Sequence, residues 1–266
     1  HAPIDNYCER AEAAFWAEPV NALSNGAFLV AALTAFLLWR RMGHRDGPVL
    51  VLIGITAVVG IGSFLFHTFA NRWSMLADVI PIMLFIIGFF WLAMRRFVGL
   101  SPIAAVAVTA IFLILNPLFV MAWRSLFGTG PVATLNGSIG YLPAALAMFG
   151  TALLLRYMAS RAEAFIANAK NRNWNPLSPA EEAAYTRTLV VVPVDTARQL
   201  AMAGLVFLVS LGFRALDQAL CPVIPIGTHF LWHTMNALVL FLLLRAAIRH
   251  SAMFSGDPER MGSGPA

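Results

Sequence analysis

The chain has 266 residues, of which 59% are hydrophobic and only 12% are charged. Soluble domains carry about 25% charged residues, so this composition excludes an ordinary soluble fold. The formal net charge is +5, but basic residues on a membrane protein report its topology, so the charge does not indicate a nucleic-acid partner.

Seven apolar runs follow an acidic segment at residues 1–19, and each is long enough to cross a bilayer as a helix. The predicted spans are 20–39, 48–70, 75–94, 102–122, 138–158, 199–219 and 226–248. The sequence therefore predicts an all-α integral membrane protein, a bundle of seven transmembrane helices within 20–249. A Gly/Pro/Ser-rich tail at 250–266 is predicted to be disordered.

One connection, residues 159–198, is much longer than the others. Ser178, Pro179 and Glu181 have the spacing of an N-cap, N1 and N3 set, which predicts a short helix beginning there. The part SRAEAFIANAKNR either extends the fifth span or lies on the membrane surface. We interpret this loop as a helical connector without chemistry.

Arginine and lysine positions predict the orientation. With the N-terminus outside, fourteen of the eighteen Lys and Arg residues fall on the cytoplasmic side. The positive-inside rule therefore favours an outer N-terminus and a cytoplasmic C-terminus, with the long loop also cytoplasmic.

Five polar side chains converge when they are placed on this topology. Ser63 and His67 share one face at the outer end of the second span, and Asp78 lies one turn inside the third. His229 and His233 share a face at the start of the seventh. All five therefore lie at similar depth in the outer half of the membrane, where ionisable groups are costly and indicate function.

Three histidines from two helices indicate a zinc site. A His-x-x-x-His pair presents two ring nitrogens on one helical face, and a third histidine leaves one position open for water, as in catalytic zinc sites. Asp78 would then orient that water or accept its proton. A single histidine near a helix end more often only bonds to a neighbour, and Ser63 has a packing role as its alternative.

The N-terminal segment holds four carboxylates and one of the two cysteines. Asp5, Glu9, Glu12 and Glu18 offer hard oxygen ligands that suit calcium, although a solvated acidic segment is the alternative. Cys8 and the other cysteine, Cys221, both lie outside in this topology. They form either a disulfide or two free thiols.

Near the end of the sixth span, Arg214 and Asp217 lie three residues apart. The spacing predicts an ion pair on the helix surface, and support of the histidine site by Asp217 is the alternative.

Three segments together resemble the alkaline ceramidase family, part of a wider group of seven-span hydrolases that includes the adiponectin-type receptors. They are YCER with AEPVNALSN, GSFLFHTFANRWSMLADVIPI, and LDQALCPVIPIGTHFLWHT. The resemblance covers nearly the whole membrane region, and the short outer loops are similar to those of bacterial members.

The resemblance implies a role for each matching residue. His67, His229 and His233 match the zinc ligands, Asp78 the residue that holds the zinc-bound water, and Ser63 a helper for the oxyanion. Cys8 and Cys221 match the family's disulfide.

A calcium site is also implied, with Asp5, Tyr7, Glu9 and Glu18 as the matching ligands. The match is incomplete, because Asp5 is shifted by one residue, Asn6 stands in the usual aspartate position, and Ala11 replaces an asparagine.

We therefore expect a zinc-dependent intramembrane amidase that cleaves ceramide-like N-acyl sphingolipids into a sphingoid base and a fatty acid. Two alternatives remain: a receptor-like protein with a structural zinc, and a hydrolase of another lipid amide or ester. Retinal binding is excluded, because the lone lysine, Lys170, lies in a loop.

The expected partner is a membrane lipid, with no nucleic acid and no obligate protein partner. The expected location is a bacterial inner membrane, with the site on the periplasmic or extracellular side.

Overall fold

The computed structural model describes residues 4–43, 46–131, 133–171 and 178–254, and all regular structure within these ranges is helical. The α-helices are α1 (Pro19–Ser24), α2 (Gly26–Arg41), α3 (Gly47–Phe69), α4 (Arg72–Arg96), α5 (Pro102–Phe127), α6 (Leu142–Asn171), α7 (Pro179–Thr186), α8 (Val192–Leu220) and α9 (His229–Phe254). A 3₁₀ turn (Ser138–Tyr141) precedes α6, and a π turn (Arg187–Val191) joins α7 to α8.

Seven helical stretches in the described part of the chain are long and apolar enough to span a membrane, which confirms the predicted fold class. The first stretch combines α1 and α2, and the sixth runs from α7 through the π turn into α8. The helices extend beyond several predicted span ends, because sequence hydropathy marks only the part of a helix that lies in lipid.

The long connection is helical wherever it is described. Helix α6 continues to Asn171, so the SRAEAF segment extends the fifth span, and Lys170, predicted to lie in a loop, belongs to the last turn of this helix. The predicted cap at Ser178 is confirmed: its hydroxyl accepts from the Glu181 amide, and the Glu181 carboxylate accepts from the Ser178 amide. Of the predicted disordered tail, residues 250–254 belong to α9, and 255–266 lie outside the described residues.

Helix α9 lies at the centre of the bundle and packs along α8 and α2. Helix α3 packs along α4. The fully buried side chains include Leu92, Leu155, Leu200, Leu244 and Ile248. Helix α5 is peripheral, with only Ala105 and Thr109 buried. Because the surrounding lipid is as apolar as these side chains, close van der Waals packing holds the helices together.

At the end of the bundle away from the histidines, Asp46 caps α3 and links three helices. Its carboxylate accepts hydrogen bonds from both Arg96 Nη atoms and from Ser251 Oγ. Burial alone would raise the pKa of Asp46, but the bonds and charge of its partners outweigh it and keep that pKa below its usual value. This pairing fixes α3, α4 and α9 relative to one another.

Gly62 sets the spacing of α3 and α4 beside the histidine site. A Cβ placed on Gly62 would lie 2.7 Å from the Ala77 carbonyl carbon and would overlap its oxygen. The neighbouring residues are Ser63 and Asp78, so this close approach brings those two side chains together.

We therefore expect Gly62→Ala to lower the melting temperature of the detergent-purified protein. The added methyl group meets backbone, which cannot rotate away, and overpacking of this kind costs about 1–3 kcal/mol. Gly54→Ala is the matched control, because it lies in the same helix and a Cβ there meets nothing within 4 Å. Equal melting temperatures for the two variants would contradict this account of the α3–α4 contact.

Candidate metal centre and the cavity above it

Three buried histidines meet at the end of the bundle where α3 ends and α9 begins. His67 lies in the last turn of α3, and His229 and His233 lie in the first two turns of α9. One potential ligand atom from each lies within 4.8 Å of the others, and all three residues are buried. The predicted convergence of these histidines is confirmed. Among the described residues, this is the sole group of three or more His, Cys, Asp or Glu side chains so close together.

Hydrogen bonds fix the orientation of two imidazoles. His67 Nδ1 donates to Glu18 Oε2 over 2.6 Å, because an ionised carboxylate can only accept. Ser24 Oγ donates to the Asn21 carbonyl at 2.8 Å, so it is free to accept from His233 Nδ1, also at 2.8 Å. In both rings Nδ1 is then protonated and the Nε2 lone pair is left for a metal, as in carboxylate–histidine–zinc arrangements.

His229 is held by stacking. The Tyr7 ring lies over its imidazole with centroids 3.7 Å apart. His229 Nδ1 is buried and has no hydrogen-bond partner among the described residues. An unpaired ring nitrogen next to two oriented imidazoles fits a metal ligand, since a buried nitrogen without a partner is otherwise costly. Burial raises the pKa of the Tyr7 hydroxyl, which is therefore neutral beside the cluster.

Glu18 joins the N-terminal segment to the histidine site. Besides His67, it accepts from Arg10 Nε at 2.5 Å and from Asn21 Nδ2 at 3.1 Å. Burial alone would raise the pKa of Glu18, but the hydrogen bond from His67 and the hydrogen bond and charge of Arg10 outweigh it and keep that pKa below its usual value. Arg10 also donates to the His67 carbonyl. The positive charge of Arg10 compensates the buried negative charge of Glu18.

Asp78 and Ser63 face the same cavity as His229 and His233. Ser63 and Asp78 are close enough for their side chains to interact. The carboxylate oxygen Oδ1 of Asp78 is buried and has no partner among the described residues. A buried carboxylate oxygen without a partner is costly, so this oxygen is one that a bound group would satisfy.

Asp217 fixes the start of α9. Its carboxylate is fully buried and accepts from the amides of Cys8, Thr228 and His229, at 3.1, 2.7 and 3.0 Å. A carboxylate at a helix N-terminus satisfies unpaired amides and interacts favourably with the helix dipole. The predicted Arg214–Asp217 ion pair is therefore wrong, because Asp217 turns towards α9 and Arg214 donates instead to Asn136 O and Ser138 Oγ. The alternative, support of the site by Asp217, fits this geometry.

The cysteine pair forms the disulfide, with Cα atoms 5.3 Å apart. It attaches the N-terminal segment to the end of α8, directly beside Asp217. Gly227 is required at this corner, since its φ is +66° and a Cβ would lie 2.7 Å from the Cys8 Cβ. The bridge and the glycine together hold Tyr7 against His229.

The residues predicted to bind calcium have other partners or lie apart. Glu9 accepts from the amides of Val20 and Asn21 at 2.7 and 2.8 Å, which caps α1, while Glu18 bonds to Arg10 and His67. Asp5 is exposed. As placed, these carboxylates form no close group of ligands, so calcium binding remains a prediction from the resemblance.

The sequence did not identify several residues that support the histidine site. Ser24 and Arg10 were not singled out, and Glu18 was assigned to calcium rather than to His67. One signal was present: Asn21, Ser24 and Asn25 interrupt an apolar run with the spacing of one helix face. Such a polar stripe at the start of a membrane helix predicts contact with other polar groups.

A largely apolar cavity of about 220 Å³ lies next to the histidine site and is lined in part by His229 and His233. Its walls come from α2, α3, α4, α5, α6, α8 and α9. The side chains around its polar part are Tyr7, Asp78, Tyr141, Arg214 and Trp232. The apolar part continues along Phe90, Phe112, Met148 and Leu200. This shape suits a ligand with a polar head and an apolar chain.

The fold and site define a seven-helix membrane protein with a buried, metal-capable histidine cluster at the base of an apolar cavity. A model of the ceramidase family matches residues 4–253, so the chain belongs to the ceramidase family. That membership identifies a hydrolase acting on amide bonds, with ceramide amides as the family's substrates. No curated protein matches the chain.

Proposed function

We propose that this protein is a zinc-dependent intramembrane amidase that hydrolyses ceramide-like N-acyl sphingolipids to a sphingoid base and a fatty acid. The single observation that carries the proposal is the cluster of His67, His229 and His233 beside Asp78 at the base of an apolar cavity. Membership in the ceramidase family supports the amide bond as the target.

The donor set fits zinc. Three neutral imidazoles suit this metal, and two of them are already oriented by Glu18 and Ser24. The unpaired His229 Nδ1 and Asp78 Oδ1 are atoms that a metal and its water would satisfy. Zinc held there supplies a Lewis acid that polarises an amide carbonyl and makes a water more acidic.

The protein's own groups then carry the proton transfers. Asp78, which lies beside Ser63 in the cavity wall, accepts the proton of the attacking water and delivers it to the leaving amine. Ser63 faces the cavity beside it, where its hydroxyl can also donate to the developing oxyanion. The apolar walls exclude bulk water, which strengthens these interactions.

The lipid reaches the site from within the membrane. The cavity walls contributed by α5 and α6, such as Phe112 and Met148, are apolar, and outer faces of both helices expose large apolar side chains. An acyl chain can therefore remain in an apolar environment along the whole path, while the amide is placed near the histidines.

The orientation and location belong to the same proposal. The arginine and lysine distribution supports a site on the outer side of the membrane. The bacterial inner membrane is taken from the resemblance of the short outer loops to those of bacterial members.

Calcium binding is taken from the resemblance. If it occurs, added Ca²⁺ should raise the melting temperature of the parent, and Glu9→Gln should abolish that rise.

A receptor-like protein with a structural zinc is the competing function, favoured by the fully buried cluster. Metal analysis combined with mass-spectrometric turnover on ceramides and other N-acyl lipids separates the two. Zinc together with release of sphingoid base supports the amidase. Zinc without turnover of any lipid supports the receptor-like protein, and a parent protein without zinc refutes the site assignment.

A further inference from the structure

The cavity extends far along the bundle from the histidine site. On α9 its lining runs from His229 to Leu243, and on α4 it runs from Asp78 to Ala93. These pairs are fourteen and fifteen residues apart in the sequence. Because an α-helix rises 1.5 Å per residue, the cavity is about 21 Å long when it is measured along either helix.

Helix α8 gives the same depth. It runs opposite to α9 and lines the cavity from Arg214 to Leu200, again fourteen residues. Helix α6 contributes a shorter wall, from Tyr141 directly before the helix to Thr151. Since several helices agree, the length of the cavity follows from the arrangement of the bundle and not from one side chain.

The far end of the cavity, away from the histidines, is apolar and closed. Four buried residues line it: Ala93, Thr151, Leu200 and Leu243. The Thr151 hydroxyl donates to the Ala147 carbonyl at 2.8 Å, so it offers no free donor there. One helical turn further on, three residues are buried and line no part of the cavity: Phe97, Leu155 and Ala247. A chain that extends from the histidine site therefore meets a packed wall.

The length of the cavity corresponds to one long acyl chain. Carbon–carbon bonds of about 1.5 Å at near-tetrahedral angles advance an extended chain by about 1.25 Å per carbon, so the cavity holds about sixteen carbons. A chain in lipid is already in an apolar environment, so an apolar wall alone gives no preference for length. A shorter chain leaves unfilled space and loses van der Waals contacts, whereas a longer chain displaces buried side chains. Fit against the far end therefore selects chain length.

We propose that Ala93 is a specificity-determining residue that sets the preferred acyl chain of the ceramide at about sixteen carbons. Its side chain is the smallest of the four that line the far end. Ala93 lies on the same helix as Asp78, so one element fixes the distance between the proposed proton-transfer residue and the end of the cavity. The inference rests on the proposed amidase function and names the substrate class of the same site, ceramides with long acyl chains.

Ceramides that share one sphingoid base and differ only in the acyl chain test this proposal: octanoyl, lauroyl, myristoyl, palmitoyl, stearoyl, arachidoyl and lignoceroyl. Zinc-loaded full-length protein gives kcat/KM for each, and native mass spectrometry of the metal-chelated protein gives the dissociation constants. We expect the parent to prefer the palmitoyl ceramide over the octanoyl and lignoceroyl ceramides by at least about tenfold in both measurements. Ala93→Leu should move the optimum to chains shorter by about two to four carbons, because the leucine side chain reaches further into the cavity. Leu243→Ala should move it to longer chains.

Ala107→Leu is the matched control, because it makes the same substitution at an exposed position on α5 that does not line the cavity. It should keep the parent's optimum. Melting curves identify a misfolded variant, and if Ala93→Leu fails to fold, the parent and Leu243→Ala decide the question. A second set of ceramides varies the sphingoid base at a constant palmitoyl chain.

Three results overturn the proposal: equal preference of the parent for all acyl lengths, a dependence on the length of the base instead, or an unshifted optimum in the folded variants. Hydrolysis of no ceramide by the zinc-loaded parent would refute the amidase function instead. The order of the dissociation constants would then still test Ala93.

Discussion

His233→Ala is expected to lose both the bound zinc and all measurable amide hydrolysis. His233 supplies one of three buried imidazoles, and with its side chain gone, His67 and His229 are too few for a stable protein site. Loss of an outer hydrogen-bond partner alone reduces metal affinity or activity by about 10–100-fold, so loss of a ligand should exceed that. Elemental analysis for zinc and release of sphingoid base from ceramide measure the two effects.

Thr234→Ala is a suitable control for this variant. Thr234 is the next residue on α9, and its exposed hydroxyl bonds only to the carbonyls of Phe230 and Leu231. It should retain zinc and activity within about twofold of the parent, since surface changes away from special features have small effects. A His233→Ala protein that keeps a full zinc content would show that the metal binds elsewhere.

Much of the fold was accessible from the sequence, because a bilayer imposes strong rules. Long apolar runs must be helices in lipid, since every backbone polar group has to be paired within the segment. The second span ends and the seventh begins on the same side of the membrane, so the order of the spans alone placed His67 at the same membrane level as the start of α9. Helix ends were less predictable, as at Asn171, because a membrane helix continues into water where hydropathy gives no signal.

The supporting contacts of the site were less accessible, because they depend on how the chain enters the bundle. Glu18 reaches His67 across 49 residues of sequence, and the disulfide joins positions 213 apart. Spacing suggested that Arg214 would pair with Asp217, but the direction of each side chain is set by tertiary partners. Asp217 accepts hydrogen bonds from three amides that would otherwise be unpaired, and these bonds satisfy a buried carboxylate better than an ion pair with one arginine would.

The histidines and Asp78 have different proposed roles, so a second variant can test the role of Asp78 separately from metal binding. Glu18 and Ser24 hold His67 and His233 through hydrogen bonds, whereas Asp78 has no hydrogen bond to His67 or α9 among the described residues and keeps Oδ1 unpaired. Under the proposed function, metal binding and proton transfer would therefore rest on different residues. A change at Asp78 should separate the two functions, which a change at a histidine cannot do.

Asp78→Asn is thus expected to keep zinc while losing hydrolysis by about 10²–10⁴-fold in kcat, the usual contribution of a positioned general acid–base. The amide has nearly the volume of the carboxylate and can still bond with Ser63, so folding should be preserved. It cannot accept the proton of the attacking water or return it to the leaving amine. Single-turnover release of fatty acid, measured beside zinc content and melting temperature, tests this assignment.

Glu12→Gln provides the comparison, because it removes an exposed carboxylate from the same end of the bundle and lies outside the cavity. Its activity should match that of the parent. If Asp78→Asn kept both zinc and an unchanged rate, the proton would have to be carried by another group and Asp78 would be only a packing residue. If it lost zinc as well, the carboxylate would be part of the metal site rather than a separate proton carrier.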